Sequence, residues 1–126
     1  MFKNLISACF LGLLAVVLGA FGAHALKEIL TVNELLSFET AVRYQMYHAI
    51  IVLFVNIYEG FSVKQKNKIS YLFFLGILFF SGSIYLINLT KITAKSIWFV
   101  TPLGGLFFII GWISMIIIFV KKYKNK

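Results

Sequence analysis

Apolar and charged positions alternate along this chain in long blocks rather than residue by residue. No fixed charge falls between Lys3 and Lys27, Arg43 and Glu59, Lys68 and Lys91, or Lys95 and Lys121. A helix rises ~1.5 Å per residue and a bilayer core is ~30 Å thick, so roughly 20 apolar residues suffice to cross it. Three blocks reach that length and the second falls short. The pattern predicts four helices, at about 5–25, 41–58, 70–89 and 102–120. Pro102 suits the first turn of the fourth, where its missing N–H would have no intrahelical partner. Lys27 to Glu39 mixes Ile29, Leu30, Leu35, Leu36 and Phe38 with charges, and reads as a short amphipathic segment lying at the outer interface. The expected fold is an all-α membrane protein: a single four-transmembrane-helix bundle filling residues 1–126.

Composition removes the soluble alternative. Of the 126 residues 61% are hydrophobic and 17% aromatic, above the ~45–50% apolar share of soluble domains. The start of the chain, Lys3 followed by an apolar run to Ala23-His24-Ala25, imitates a secretory signal. That run exceeds the usual ~7–15-residue apolar region of such signals and further spans follow, so it reads as an uncleaved first helix. The single Cys9 has no partner for an intrachain disulfide or a dithiol redox pair.

The net charge of +8 changes the picture only through its placement. The lysines sit at block ends, which favours lipid headgroups over nucleic acid. Lys3, Lys64, Lys66, Lys68, Lys121, Lys122, Lys124 and Lys126 fall on one side of the bundle; Lys27, Arg43, Lys91 and Lys95 fall on the other. The positive-inside bias then places both termini in the cytoplasm. Only Tyr44 to Tyr58 separates Arg43 from Glu59, about 22 Å of helix, so Arg43 must either snorkel outward or pair inside the bundle.

Ala8, Gly12, Ala15, Gly19 and Gly22 recur at spacings of four and three, which makes one stripe of small residues on the first helix. Gly82, Gly104 and Gly105 supply further positions for close helix approach. Such a stripe can pack within one chain or between subunits, and the spacing does not choose. Inside the apolar blocks lie His24, Tyr44, Gln45, His48, Asn56, Ser81, Ser83, Tyr85 and Thr101, each of which needs a partner because lipid offers none.

The segments Gly19-Ala20-Phe21-Gly22-Ala23-His24, Tyr44-Gln45-Met46-Tyr47-His48-Ala49, Phe80-Ser81-Gly82-Ser83-Ile84-Tyr85 and Thr101-Pro102-Leu103-Gly104-Gly105 resemble, in that order, the domain-of-unknown-function 423 family. These are small four-helix inner-membrane proteins also grouped as uncharacterised protein family 0382. The resemblance implies a bacterial cytoplasmic-membrane protein and carries no established reaction, ligand or catalytic residue.

Because helices alternate in direction, all four motifs converge on the outer half of the bilayer. There His24, Arg43, Tyr44, Gln45, His48, Ser81, Ser83, Tyr85 and Thr101 form a candidate polar cluster. It is either a pocket or a hydrogen-bond lock that holds the helices in register, and the lock is the preferred reading. The expected function is a structural or accessory membrane protein acting through helix packing, with a second copy or another membrane protein as partner, and no cofactor. An oligomeric transporter or channel is the first alternative. A histidine-based metal or haem site using His24, Glu28 and His48 is the second. Gly-x-Ser-x-Gly and Gly-Lys-Ser/Thr patterns are missing, as is any Asp, so catalytic roles are assigned to no residue.

Overall fold

A computed structural model describes residues 2–126 and contains four helices joined by short connections. α1 spans Phe2–Leu26, α2 Val32–Ile57, α3 Val63–Leu89 and α4 Val100–Lys124. α1, α3 and α4 are each long and apolar enough to cross a membrane.

α2 departs from the sequence expectation. The chain enters it at Thr31, whose hydroxyl accepts a hydrogen bond from the Glu34 N–H at 3.2 Å while the Glu34 carboxylate accepts from the Thr31 N–H at 2.8 Å. This reciprocal cap satisfies two N-terminal donors and starts the helix some nine residues early. From there α2 runs unbroken through Arg43, so from Val32 onward the expected interfacial segment is the opening of α2 and not a separate helix. The reason lies in its buried face. Phe38 and Ala41 continue, at steps of three and four, the stripe formed by Gln45, His48, Val52 and Val55. A 26-residue helix is about 39 Å long, which removes the apparent shortage of length.

α3 opens with a second reciprocal cap, Ser62 with Gln65. Packing is sequential: α1 lies on α2, α2 on α3, and α3 on α4, while among the described residues α1 and α4 share no extended interface. The helices therefore form an open succession with α2 and α3 in the middle. The apolar core follows that order, with Ala8 of α1 and Val52 and Val55 of α2 meeting Ile69 and Phe73 of α3, and Phe108 and Met115 of α4 closing the far side.

Two helices contain a single wide turn, Leu18–Gly22 in α1 and Ile77–Ser81 in α3, in which the backbone bonds skip to the fifth residue. Both lie against the same stretch of α2. Gly19 and Gly22 face Val42 and Phe38, and the Ser81 hydroxyl donates to the Ala41 carbonyl at 2.7 Å. The end of the molecule with these turns carries all four sequence motifs and is called the motif end below. Phe2, the α2–α3 connection and Lys126 mark the opposite, terminal end.

Candidate functional site

The stripe on α2 organises the motif end. Gln45, 3% exposed, donates from Nε2 to the Leu11 carbonyl of α1 at 2.8 Å and accepts at Oε1 from the Tyr85 hydroxyl of α3 at 2.7 Å. One amide thus joins three helices, and both of its ends are satisfied where no water is available to replace a lost partner. The Tyr85 ring also packs on Phe38, with centroids 5.4 Å apart. Between α3 and α4 the Ser83 hydroxyl donates to the Phe80 carbonyl at 2.9 Å. A serine has one hydroxyl proton, so the Ser83–Thr101 bond must be donated by Thr101.

His48 lies one turn below Gln45 and is 4% exposed. Its Nδ1 is 2.7 Å from the Tyr44 carbonyl, which can only accept, so Nδ1 carries the proton. Nε2 is then the acceptor that the Trp112 indole N–H requires, at 3.2 Å. The two contacts agree on one neutral tautomer. The ring also stacks on Phe108 at 3.6 Å with only 9° between planes. Beside it, between α2 and α4, is an aromatic groove of about 660 Å³ walled by Tyr44, Tyr47, Phe80, Phe108 and Trp112. His48 is part of its floor but has no ring nitrogen left for a ligand.

Comparison with known proteins decides the family. Residues 18–105 match the model of the family DUF423, a protein of unknown function. The chain belongs to the DUF423 family. A UPF0382 membrane protein of Staphylococcus saprophyticus is 43% identical over 105 residues, 83% of this chain and 86% of its own length. The UPF0382 membrane protein YwdK of Bacillus subtilis is 41% identical over 112 residues, covering 86% of this chain and 89% of its own. A UPF0382 membrane protein of Haemophilus influenzae is 39% identical over 117 residues, 90% of each chain. No solved structure matches. This is a helical membrane protein of the DUF423 family, whose description names no activity. The matched segment runs from the wide turn of α1 to Gly105, so it contains Gln45, His48, Ser81, Ser83, Tyr85 and Thr101, whereas Trp112 lies outside it.

In this DUF423 chain the candidate residues divide. Gln45, His48, Ser81, Ser83, Tyr85 and Thr101 are brought together on α2, α3 and α4. Tyr44 stands at the edge of the aromatic groove, its ring 4.8 Å from that of Phe80. His24 is exposed beside Lys27 and Glu28, in a shallow hollow of its own. Arg43 is exposed and donates to the Thr40 hydroxyl at 3.1 Å, back toward the motif end and away from the bundle interior. Among the described residues no three His, Cys, Asp or Glu side chains gather as metal ligands, so His24, Glu28 and His48 do not form a set.

The small residues of α1 face α2 within the chain: Ala8 and Ala15 are buried, and Gly12, Gly19 and Gly22 approach Met46, Val42 and Phe38. Gly104 lies against the backbone of Phe79 and Phe80, leaving no space for a Cβ. Gly105 and Gly82 are unconfined, their nearest neighbours being 4.0 and 3.9 Å from where a Cβ would stand.

Two features escaped the sequence. Spacing does not name Trp112 as the partner of His48, although an indole halfway along an apolar block, far from both interfacial belts, signals a buried acceptor. The other is a second polar knot at the terminal end. Asn56 donates to the Val52 carbonyl at 2.8 Å and to Ser70 Oγ at 2.7 Å, and accepts at Oδ1 from Asn4 at 3.1 Å. Asn4 also reaches Asn67 at 2.9 Å, and Lys66 Nζ donates to the Asn56 carbonyl at 2.8 Å. Asn4, Asn67 and Lys66 sit near block ends, where polarity needs no special explanation, so only Asn56 carried a signal.

Proposed function

We propose that this protein is a four-span component of the bacterial cytoplasmic membrane, with both ends of the chain in the cytoplasm, that acts as a structural or accessory protein through its helix surfaces. α2 serves as the fourth span: it is 26 residues long and lies between α1 and α3, both long and apolar enough to cross. Its early charges, Glu34, Glu39 and Arg43, occupy the half nearest the motif end, where side chains can reach the outer headgroups.

The observation that carries the reading is how the motif side chains use their polar atoms. Gln45, His48, Ser81 and Ser83 all direct them to partners in the same chain, as a lock does. The surfaces left for a second copy or another membrane protein are the outer faces of α1 and α4, which expose Phe10, Leu13, Phe21, Ile109, Ile113 and Ile116.

Two measurements test this. In a Cys9→Ser background, a membrane-impermeant maleimide applied to intact cells should label Ser96→Cys and spare Asn125→Cys; the reverse pattern would overturn the orientation. Native mass spectrometry from mild detergent should show a dimer or a co-purifying membrane protein. A bare monomer under all gentle conditions would remove the accessory role.

A further inference from the structure

The terminal end brings together lysines that the polar knot does not use. Besides Lys66, which the knot does use, Lys3, Lys64, Lys68, Lys121, Lys122, Lys124 and Lys126 lie at this end, against the single acid Glu59. Lys66 is held on the Asn56 carbonyl. Lys68 and Lys121 instead line one crevice of about 250 Å³ between α3 and α4, together with Gln65, Ile69, Ser114 and Ile117. On α4 the spacing Ser114, Ile117, Lys121, with Ile118 beside it, puts an apolar strip below a cation on one helix face; on α3 Gln65 and Lys68 bring a polar group and a second cation from the opposite direction, over the buried Ile69.

The register of the two helices sets the depth. Gly76 faces Phe108 and Gly111 faces Phe73, so the antiparallel alignment places Lys68 roughly level with Ile116 and more than a turn deeper than Lys121. A lysine at that depth reaches outward along its aliphatic stem, which brings its ammonium toward that of Lys121. Two cations from two helices beside an exposed apolar strip suit a lipid whose headgroup is anionic: its phosphate meets the ammonium groups and an acyl chain covers the strip.

We propose that the α3–α4 crevice at the terminal end is a specific site for one anionic phospholipid, its phosphate held between Lys68 and Lys121 and its chain lying on Ile117 and Ile118 of α4. The site rests on the four-span reading only in needing this end to meet headgroups. Binding read in detergent does not depend on which leaflet that is, so failure here would leave the orientation standing.

The test is native mass spectrometry of the full-length protein with phosphatidylglycerol and phosphatidylcholine of matched chains. One phosphatidylglycerol should bind, about tenfold tighter than phosphatidylcholine. Lys68→Gln with Lys121→Gln should lower phosphatidylglycerol affinity about tenfold and leave phosphatidylcholine unchanged. Lys64→Gln with Lys124→Gln removes the same charge outside the crevice and should change affinity less than about twofold. Lys121→Gln alone, in the exposed last turns of α4, is not needed for folding and should lose about threefold, which keeps the site testable if the double variant misfolds. Equal retention of the two lipids, or equal losses in the two double variants, would overturn the site in favour of a diffuse basic surface.

Discussion

The two outer helices are attached by different kinds of contact. α1 meets α2 through small residues whose neighbours are side-chain tips: Met46 Sδ is 4.0 Å and Val42 Cγ1 3.1 Å from where a Cβ on Gly12 or Gly19 would stand. α4 meets α3 through glycines pressed against rings and main chain, Gly76 on Phe108, Gly111 on Phe73 and Gly104 on the Phe79–Phe80 backbone. Side-chain tips can move aside, whereas a backbone crossing cannot without shifting a whole helix. The regular stripe that stands out in sequence therefore marks the more forgiving contact, and the rigid one is built from glycines with no evident period.

The largest effect that would break this comparison is expected at Gly104→Ala. A methyl there collides with the Phe80 main chain, and we expect a loss of about 3 kcal/mol or more, read as unfolding of the purified protein in mixed detergent–SDS micelles. A stability close to that of the unsubstituted protein would show that the crossing yields. Gly76→Ala and Gly111→Ala meet rings that can tilt, and each should lose about 1–3 kcal/mol in the same assay.

Gln45→Leu tests the amide that ties α1 to both inner helices. It strands the Tyr85 hydroxyl and should cost about 1–2 kcal/mol; adding Tyr85→Phe should cost less than the sum of the single changes. Additive losses would mean that the bond seen at 2.7 Å contributes nothing. At the forgiving contact Gly19→Ala should lose under about 1 kcal/mol, because only the tip of Val42 must give. Gly82→Ala, with nothing but its own helix nearby, should be neutral or stabilise by about 0.5 kcal/mol through reduced backbone entropy in the unfolded chain.

Block lengths in the sequence located three helices to within four residues at every end but one, because hydropathy reports the solvent a segment must tolerate; α3 starts at Val63, seven residues before the expected 70, since the Ser62–Gln65 cap carries its first turns through Lys64, Lys66 and Lys68. They misplaced the start of α2, since Glu34, Glu39 and Arg43 mask a buried stripe that continues through Phe38 and Ala41. Hydropathy says nothing about neighbours. The order of packing, the absence of an extended α1–α4 interface and the choice of Trp112 as the partner of His48 all depend on contacts between distant residues. The polar side chains of the motifs were legible because a buried polar group in lipid demands a partner. Which of them would meet was not: His24 belongs to the same motif order as Gln45 yet ends exposed, because it follows the wide turn of α1 and comes just before the helix ends.

Those wide turns have a consequence for how the sequence is indexed. Each accommodates one residue more than a regular helical turn and so acts as a phase shift, rotating every later position by the angle of one residue. The shifts in α1 and α3 fall at the same height on either side of α2, so both neighbours of the central helix are re-phased together. Deleting one residue from either turn should restore a regular helix on that side alone and put the two flanks of α2 out of step.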